Sequence, residues 1–230
     1  MHIVRSYDEE QRQLVEQIVD MGHAAVAQLE AALDVVDRRD EGAARQVVGN
    51  DDAIDDAERR ISHEVMLLAL RGPLARDLRE ILVGVRIPAD IERIGDYAAN
   101  VAKRSIALNA VPPLPHVAGL RALGMLAAGQ VRQALRAYRE GDGQLALEVR
   151  DNDARLDQQY TALFRELLTY MMEDPRNITP CTHLLFMAKN LERIGDHATN
   201  VAENVWFLLH GEQPPEPRDK RDGTSAAGVR

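Results

Sequence analysis

Aromatic side chains are scarce in this chain, with Phe, Trp and Tyr making up 4% of 230 residues, and its one cysteine, Cys181, stands alone. A single thiol forms no internal disulfide, and without a clear His and Asn constellation it is a poor nucleophile, so Cys181 reads as a packing residue. Basic tracts are missing too. The formal net charge is −9, whereas phosphate backbones are gripped by clustered Lys and Arg, which excludes a general nucleic-acid binder. No stretch approaches the roughly 20 apolar residues that span a bilayer. Residues Met1 to Glu10 carry neither the apolar segment nor the cleavage site of a signal peptide, so a cytoplasmic location is expected. Gly-rich phosphate loops after a strand, serine nucleophile elbows and the Glu-x-x-His pattern of di-iron bundles are all absent. The expectation is a protein that is not an enzyme.

What is present favours helix. Hydrophobic residues reach 45%, dominated by unbranched or small side chains that lose little freedom in a helix. Apolar residues recur every three or four positions from about Leu14 to Leu33, Val47 to Leu70 and Leu74 to Leu108, which predicts three amphipathic helices. Breaks fall at Asp40 to Gly42, at Gly72 and Pro73 (the proline suiting a first helical position) and at Val111 to Pro115. The pattern then restarts, at about His116 to Arg139, Gly143 to Met172 and Ile178 to His210. The fold class expected is therefore all-α, two tandem three-helix bundles, with units at 1–110 and 116–210. The tail 211–230 holds too little apolar content to offset its ordering entropy and is expected to be disordered. Pro88 lies inside the third helix, where a missing donor and a ring clash predict a kink near Gly84 to Pro88. Ala188 occupies that place in the second copy.

The strongest internal signal is a repeated motif. Glu92-Arg93-Ile94-Gly95-Asp96-Tyr97-Ala98-Ala99-Asn100-Val101-Ala102 matches Glu192-Arg193-Ile194-Gly195-Asp196-His197-Ala198-Thr199-Asn200-Val201-Ala202 at nine of eleven positions. Packing alone preserves hydrophobic spacing and lets polar identities drift, so repeated Glu, Arg, Asp and Asn ask for a chemical reason. At about 100° per residue, Glu92, Asp96 and Asn100 form one stripe, with Ile94, Ala98 and Val101 on the far side. This predicts carboxylates at the surface of the bundle. Gly95 and Gly195 cost about 1 kcal/mol of helix propensity relative to Ala, which points to something packed close against the backbone there. His197 is read as a non-ligand, since its counterpart is Tyr97.

A second acid pair precedes each motif: Asp51 and Asp55 in the first unit, Asp153 and Asp157 in the second. These acids flank the apolar seam and are placed to face the neighbouring helix's stripe. Four converging carboxylates repel one another, a cost most simply offset by cations. Oxygen donors suit Mg, Ca, Mn or ferric iron, whereas zinc prefers His or Cys. The bland alternative is a pair of solvated acidic faces with exposed Arg93 and Arg193 ion pairs worth under about 1 kcal/mol.

At these residues the chain resembles the PhoU family of phosphate-uptake regulators. The duplicated E-R-I-G-D-x-x-x-N motif, the earlier D-x-x-x-D pairs and the stretch Leu168-Thr169-Tyr170-Met171-Met172-Glu173-Asp174 together cover nearly the whole sequence. The resemblance implies two three-helix bundles related by a pseudo-two-fold axis, with iron or zinc held by acidic motifs. One cluster would use Asp51, Asp55, Glu92 and Asp96, and the other Asp153, Asp157, Glu192 and Asp196; Asn100 and Asn200 match the motif without needing to be ligands. It further implies a homodimeric negative regulator of the phosphate-starvation response. Such a regulator links the ATPase of the high-affinity phosphate ABC transporter to a membrane sensor histidine kinase and meets the membrane only through those partners. Adjacent Asp52 and Asp56 create overlapping acid pairs in the first unit, and Pro88 sits four residues before Glu92. The two sites are therefore expected to differ in occupancy. The competing reading is a metal-storage or metal-dependent phosphohydrolytic bundle built on the same carboxylates.

Overall fold

The computed structural model describes residues 2–71, 75–112 and 117–215. Among them run six α-helices and no strand: α1 (His2–Arg38), α2 (Glu41–Ala69), α3 (Ala75–Leu108), α4 (Val117–Glu140), α5 (Gly143–Glu173) and α6 (Ile178–His210), with a 3-10 turn at Pro175–Asn177. The expected starts at Leu74 and His116, the N-terminal role of Pro73 and the tail beyond Pro215 lie outside the described residues. α1 corrects the sequence reading, because it begins far before Leu14. Tyr7 packs against the core and Glu10 pairs with Arg71 just beyond α2, 2.6 Å away, so α1 has tertiary partners ahead of Leu14 that periodicity does not reveal.

The helix ends follow local chemistry. Asp40 and Asp142 begin α2 and α5 identically, each carboxylate accepting the N–H three residues on, from Ala43 and Leu145. Just before them the chain turns through the left-handed region, with Gly141 at φ 63° in the second unit and Arg39 at φ 56° in the first. A non-glycine residue is strained there, yet Arg39 donates to the carbonyls of Leu108, Asn109 and Val111 at the end of α3. Gly211, left-handed at φ 79°, closes α6 by donating to the Phe207 carbonyl. α3 continues across Pro88 as one helix.

Packing joins the two units through one hydrophobic cluster. α1, α3, α6 and α4 form a ring, each contacting its two neighbours, while α2 lies against α1 and α3, and α5 against α4 and α6. The seam between α1 and α4 is reciprocal. Gly22 of α1 lies under Leu135 of α4, and Gly124 of α4 lies under Leu33 of α1; a Cβ on either glycine would stand 2.4 or 2.5 Å from the leucine. The offset that carries Asp51 onto Asp153 carries Gly22 onto Gly124 and Leu33 onto Leu135, so the seam obeys the same pseudo-two-fold relation as the acidic motifs. The same offset carries Glu30 onto Arg132, and these two form an ion pair across the seam. Cys181 is fully buried, and burial raises its thiol pKa, as a packing residue requires.

Candidate functional site

Each unit folds its two acid pairs into one groove between neighbouring helices, α2 with α3 and α5 with α6. In the first groove Asp51 and Asp55 are half-buried, whereas Asp52 and Asp56 point to solvent. The overlapping pairs thus divide into one facing α3 and one facing away. Gln28 of α1 donates to Asp51 Oδ1 at 2.8 Å and to the Gly95 carbonyl at 3.1 Å, tying three helices together. Gly95 lets the helices approach closely: a Cβ would lie 3.0 Å from Ile54 Cδ1 and 3.1 Å from Asp51 Oδ1. Burial pushes the pKa of Asp51 up, opposed by the Gln28 hydrogen bond and reinforced by Asp96, Asp55 and Asp52. Glu92 is likewise raised, first by burial, then by Asp96, with Arg93 opposing and Asp55 and Asp51 adding. Asp51 and Glu92 therefore each feel the other acids of the groove, with burial the larger cause of both shifts.

Cations already touch this groove. Arg93 lies 3.4 Å from Glu92 and 2.9 Å from Asp96, and Arg59 reaches Asp55 at 3.7 Å and Asp56 at 2.6 Å. All four contacts are at the rim, where such pairs are worth little. An open cavity of about 280 Å³ remains, lined by Asp55, Glu58, Arg59, Ala89 and Glu92.

The second groove departs from the expectation of a surface site. Asp153, Asp157 and Glu192 are 1%, 3% and 5% exposed, and only Asp196 keeps intermediate exposure. The wheel places these acids correctly on their own helices, but the neighbouring helix covers them. Tyr160, itself buried, stands where the first unit has Glu58, and Lys189 stands where it has Ala89. Lys189 Nζ contacts Glu192 Oε1 at 2.9 Å and lies 5.1 Å from the centre of the Tyr160 ring.

Gln28 and Gln130 are the site residues that motif reading misses. Gln130 repeats the place of Gln28: a Cβ on Gly195 would stand 2.9 Å from its Oε1, with Leu156 Cδ2 at 3.0 Å and Asp153 Oδ1 at 3.3 Å. That oxygen is buried with no hydrogen-bond partner. The available signal is a polar residue within an apolar stripe, repeated at the offset of the acid pairs. The motif asparagine of the second unit plays another part. Asn200 Nδ2 donates to Asp90 Oδ1 at 3.1 Å, and His197 Nδ1 lies 2.8 Å from the same oxygen, linking α6 to α3. Tyr97 and His197, equivalent motif positions, meet with ring centres 5.7 Å apart.

Carboxylate oxygens are donors that suit a hard cation; beside Gly195 the Asp153 and Gln130 oxygens approach the backbone, whereas beside Gly95 only Asp51 Oδ1 does, the Gln28 amide presenting its nitrogen there. As the side chains stand, no group of three or more His, Cys, Asp or Glu among the described residues is arranged to hold an ion. The chemistry fits, and chelation would require the acids to turn inward together.

No helix among the described residues is long and apolar enough to cross a membrane. The PhoU domain model matches residues 18–105 and 120–205, one copy per unit. A phosphate-specific transport system accessory protein PhoU homolog of Xylella fastidiosa (strain Temecula1 / ATCC 700964) is 73% identical over 224 residues, covering 97% of this chain and 93% of that protein. The homolog of Rhizobium meliloti (strain 1021) is 46% identical, covering 99% and 97%. The crystal structure of PhoU from Pseudomonas aeruginosa superposes with a TM-score of 0.86 at 38% identity, over 90% of this chain and all of that one. The phosphate transport system regulatory protein PhoU from Streptococcus pneumoniae gives 0.84 at 26% identity, over 91% and 100%. Two matched domains, near-complete coverage and a shared six-helix fold together make this chain a member of the PhoU family.

Proposed function

We propose that this protein is a non-catalytic negative regulator of the phosphate-starvation response. It acts in the cytoplasm as a homodimeric adaptor between the ATPase of a high-affinity phosphate ABC transporter and a membrane sensor histidine kinase, and it restrains phosphate uptake when phosphate is plentiful. The observation that carries this reading is the 73% identity, over nearly the full chain, to a protein named an accessory of the phosphate-specific transport system. Long helices give an adaptor rigid faces, and a net charge of −9 suits docking against basic patches on a partner.

The acidic grooves bind cations in this reading, with Asp51, Asp55, Glu92 and Asp96 as one ligand set and Asp153, Asp157, Glu192 and Asp196 as the other. A bound iron, zinc or other divalent ion would neutralise the crowded carboxylates and fasten α2 to α3, or α5 to α6. Gln28 orients Asp51 from the α1 side, so cation binding also bears on the ring of helices.

A phosphate-starvation reporter in a deletion strain grown with abundant phosphate tests the function. Deletion should switch the reporter on, and the intact gene should silence it. A reporter that stays silent after deletion would falsify the regulatory reading and turn attention to metal storage or phosphohydrolysis, for which released phosphate and bound metal would then be assayed.

A further inference from the structure

The two units finish their last helices differently. At the end of α3, Arg39 donates to the carbonyls of Leu108, Asn109 and Val111, so that helix ends on a guanidinium of its own unit. The offset that relates the acid pairs carries Arg39 onto Gly141, which has the same left-handed backbone, φ 63° against 56°, and no side chain. Among the described residues nothing donates to the carbonyls of Leu208, Leu209 or His210 at the end of α6, a helix end whose polarity attracts cations. Arg79 of α3 stands against Gly211, 2.7 Å from the place of a Cβ there, and lines no part of the cavity beside it.

That cavity, open and of about 830 Å³, lies among α1, α3, the end of α4 and α6. Leu14 and Tyr138 are its buried residues, Leu208 and Glu80 are half-buried, and Gly141 completes the wall. Tyr138 and Glu80 take the positions that Val36 and Pro180 hold at the related place in the other unit. Burial, and after it the Glu80 carboxylate, push the pKa of Tyr138 up, so a protonated phenol and a carboxylate face the same space. The remaining charges lie at the rim: Arg12 is 2.6 Å from Glu9, Glu140 is 3.1 Å from Arg136, and Glu16 and Arg139 are exposed and of opposite sign.

We propose that this cavity receives an arginine side chain of a partner protein, its guanidinium between Glu80 and the end of α6 and its stem against Leu14 and Tyr138. The inference rests on the adaptor reading and adds where a basic partner docks. A planar guanidinium serves several carbonyl and carboxylate oxygens at once, as Arg39 does at the end of α3. Its stem packs on apolar surface and its face on a phenol ring.

The test titrates the full chain, labelled with ¹⁵N, with acetyl-arginine amide and follows the backbone amide signals of Tyr138, Gly141 and Leu208. These should shift together and saturably, whereas the citrulline amide, of similar shape without the charge, should leave them in place. Glu80→Gln should weaken binding about ten-fold, the worth of one charged hydrogen bond. Gly141→Arg should abolish it, because that side chain reproduces Arg39 from the same backbone conformation and fills the cavity from within. Circular dichroism verifies the helices of both variants. Shifts that gather at the acidic grooves instead, or binding unchanged in Gly141→Arg, would overturn the site. Arg218→Gln/Arg221→Gln tests the chain's own segment 216–230 as occupant: unchanged affinity supports a partner's arginine, and a clear gain in affinity would overturn it. In the deletion strain, Gly141→Arg expressed at the level of the intact protein should leave the starvation reporter on, and silencing by that variant would overturn the docking role. A reporter that deletion itself never switches on would sink the adaptor reading, a failure the titration keeps separate from that of the arginine site.

Discussion

The first and second units share a motif at nine of eleven positions, yet the acids of one groove are half-exposed and three of the four in the other are buried. In the first, Glu92 keeps intermediate exposure and its cationic neighbours, Arg59 and Arg93, sit in solvent. In the second, Glu192 is buried and meets Lys189. The acids are the same in both units; three changes outside the motif, Glu58 to Tyr160, Arg59 to Thr161 and Ala89 to Lys189, alter what the acids face. Motif identity therefore fixes the donor atoms, and the surrounding shell decides how they are solvated.

At the seam the two units ought to be equivalent. Leu33 and Leu135 are both buried, each against the glycine of the opposite helix. Leu33→Ala and Leu135→Ala should each lower unfolding free energy by about 2–5 kcal/mol, the usual cost of emptying a packed leucine site. Urea denaturation measures this, and a loss confined to one variant would show that the seam is reciprocal in geometry alone.

Lys189→Met sharpens the difference between the grooves. Without added metal it should cost about 1–3 kcal/mol, since it strips a charged hydrogen-bond partner from a buried carboxylate. Adding Glu192→Gln to it should recover much of the loss in thermal unfolding. The double variant tracking the single one would place the cost in lost stem packing instead.

The smallest effect is expected at the rim. Arg93→Ala should change stability by less than about 1 kcal/mol, because both of its ion pairs are solvated. A thermal shift well beyond that, measured at low and high salt, would mean that the first groove depends on Arg93 as the second depends on Lys189.

Much of the fold is legible in the sequence because helical periodicity and its punctuation are local. The acid caps Asp40 and Asp142, the breaks beside Gly42 and Gly141, and Gly211 at the end of α6 all act within a turn of their own position. The early start of α1 is not legible, since it depends on Tyr7 meeting the core and Glu10 meeting Arg71, far along the chain. The candidate site divides in the same way. The pairing of Asp51 and Asp55 with the Glu92 stripe follows from spacing, and so does the close approach at Gly95. The burial of Asp153, Asp157 and Glu192 does not, because a helical wheel ranks directions around one axis and is blind to the helix that covers them. Gln28 and Gln130 escaped notice for a related reason: each lies on α1 or α4, outside both acid motifs, and reaches the groove only through tertiary packing.

The Glu30–Arg132 pair departs from the symmetry of the seam around it. Two faces that meet across a two-fold axis in an assembly of identical chains bring a residue near the axis against its own copy, so any charge there confronts a like charge. The α1–α4 seam, with its exchanged glycines and leucines, has the isologous form of such an assembly made into one polypeptide. Once the copies are encoded separately, the self-facing position is released from that constraint, and Glu30 opposite Arg132 is what the release permits. The ion pair makes a seam of isologous form heterologous at this position, so the two halves, which identical repeats would leave interchangeable, are told apart by charge.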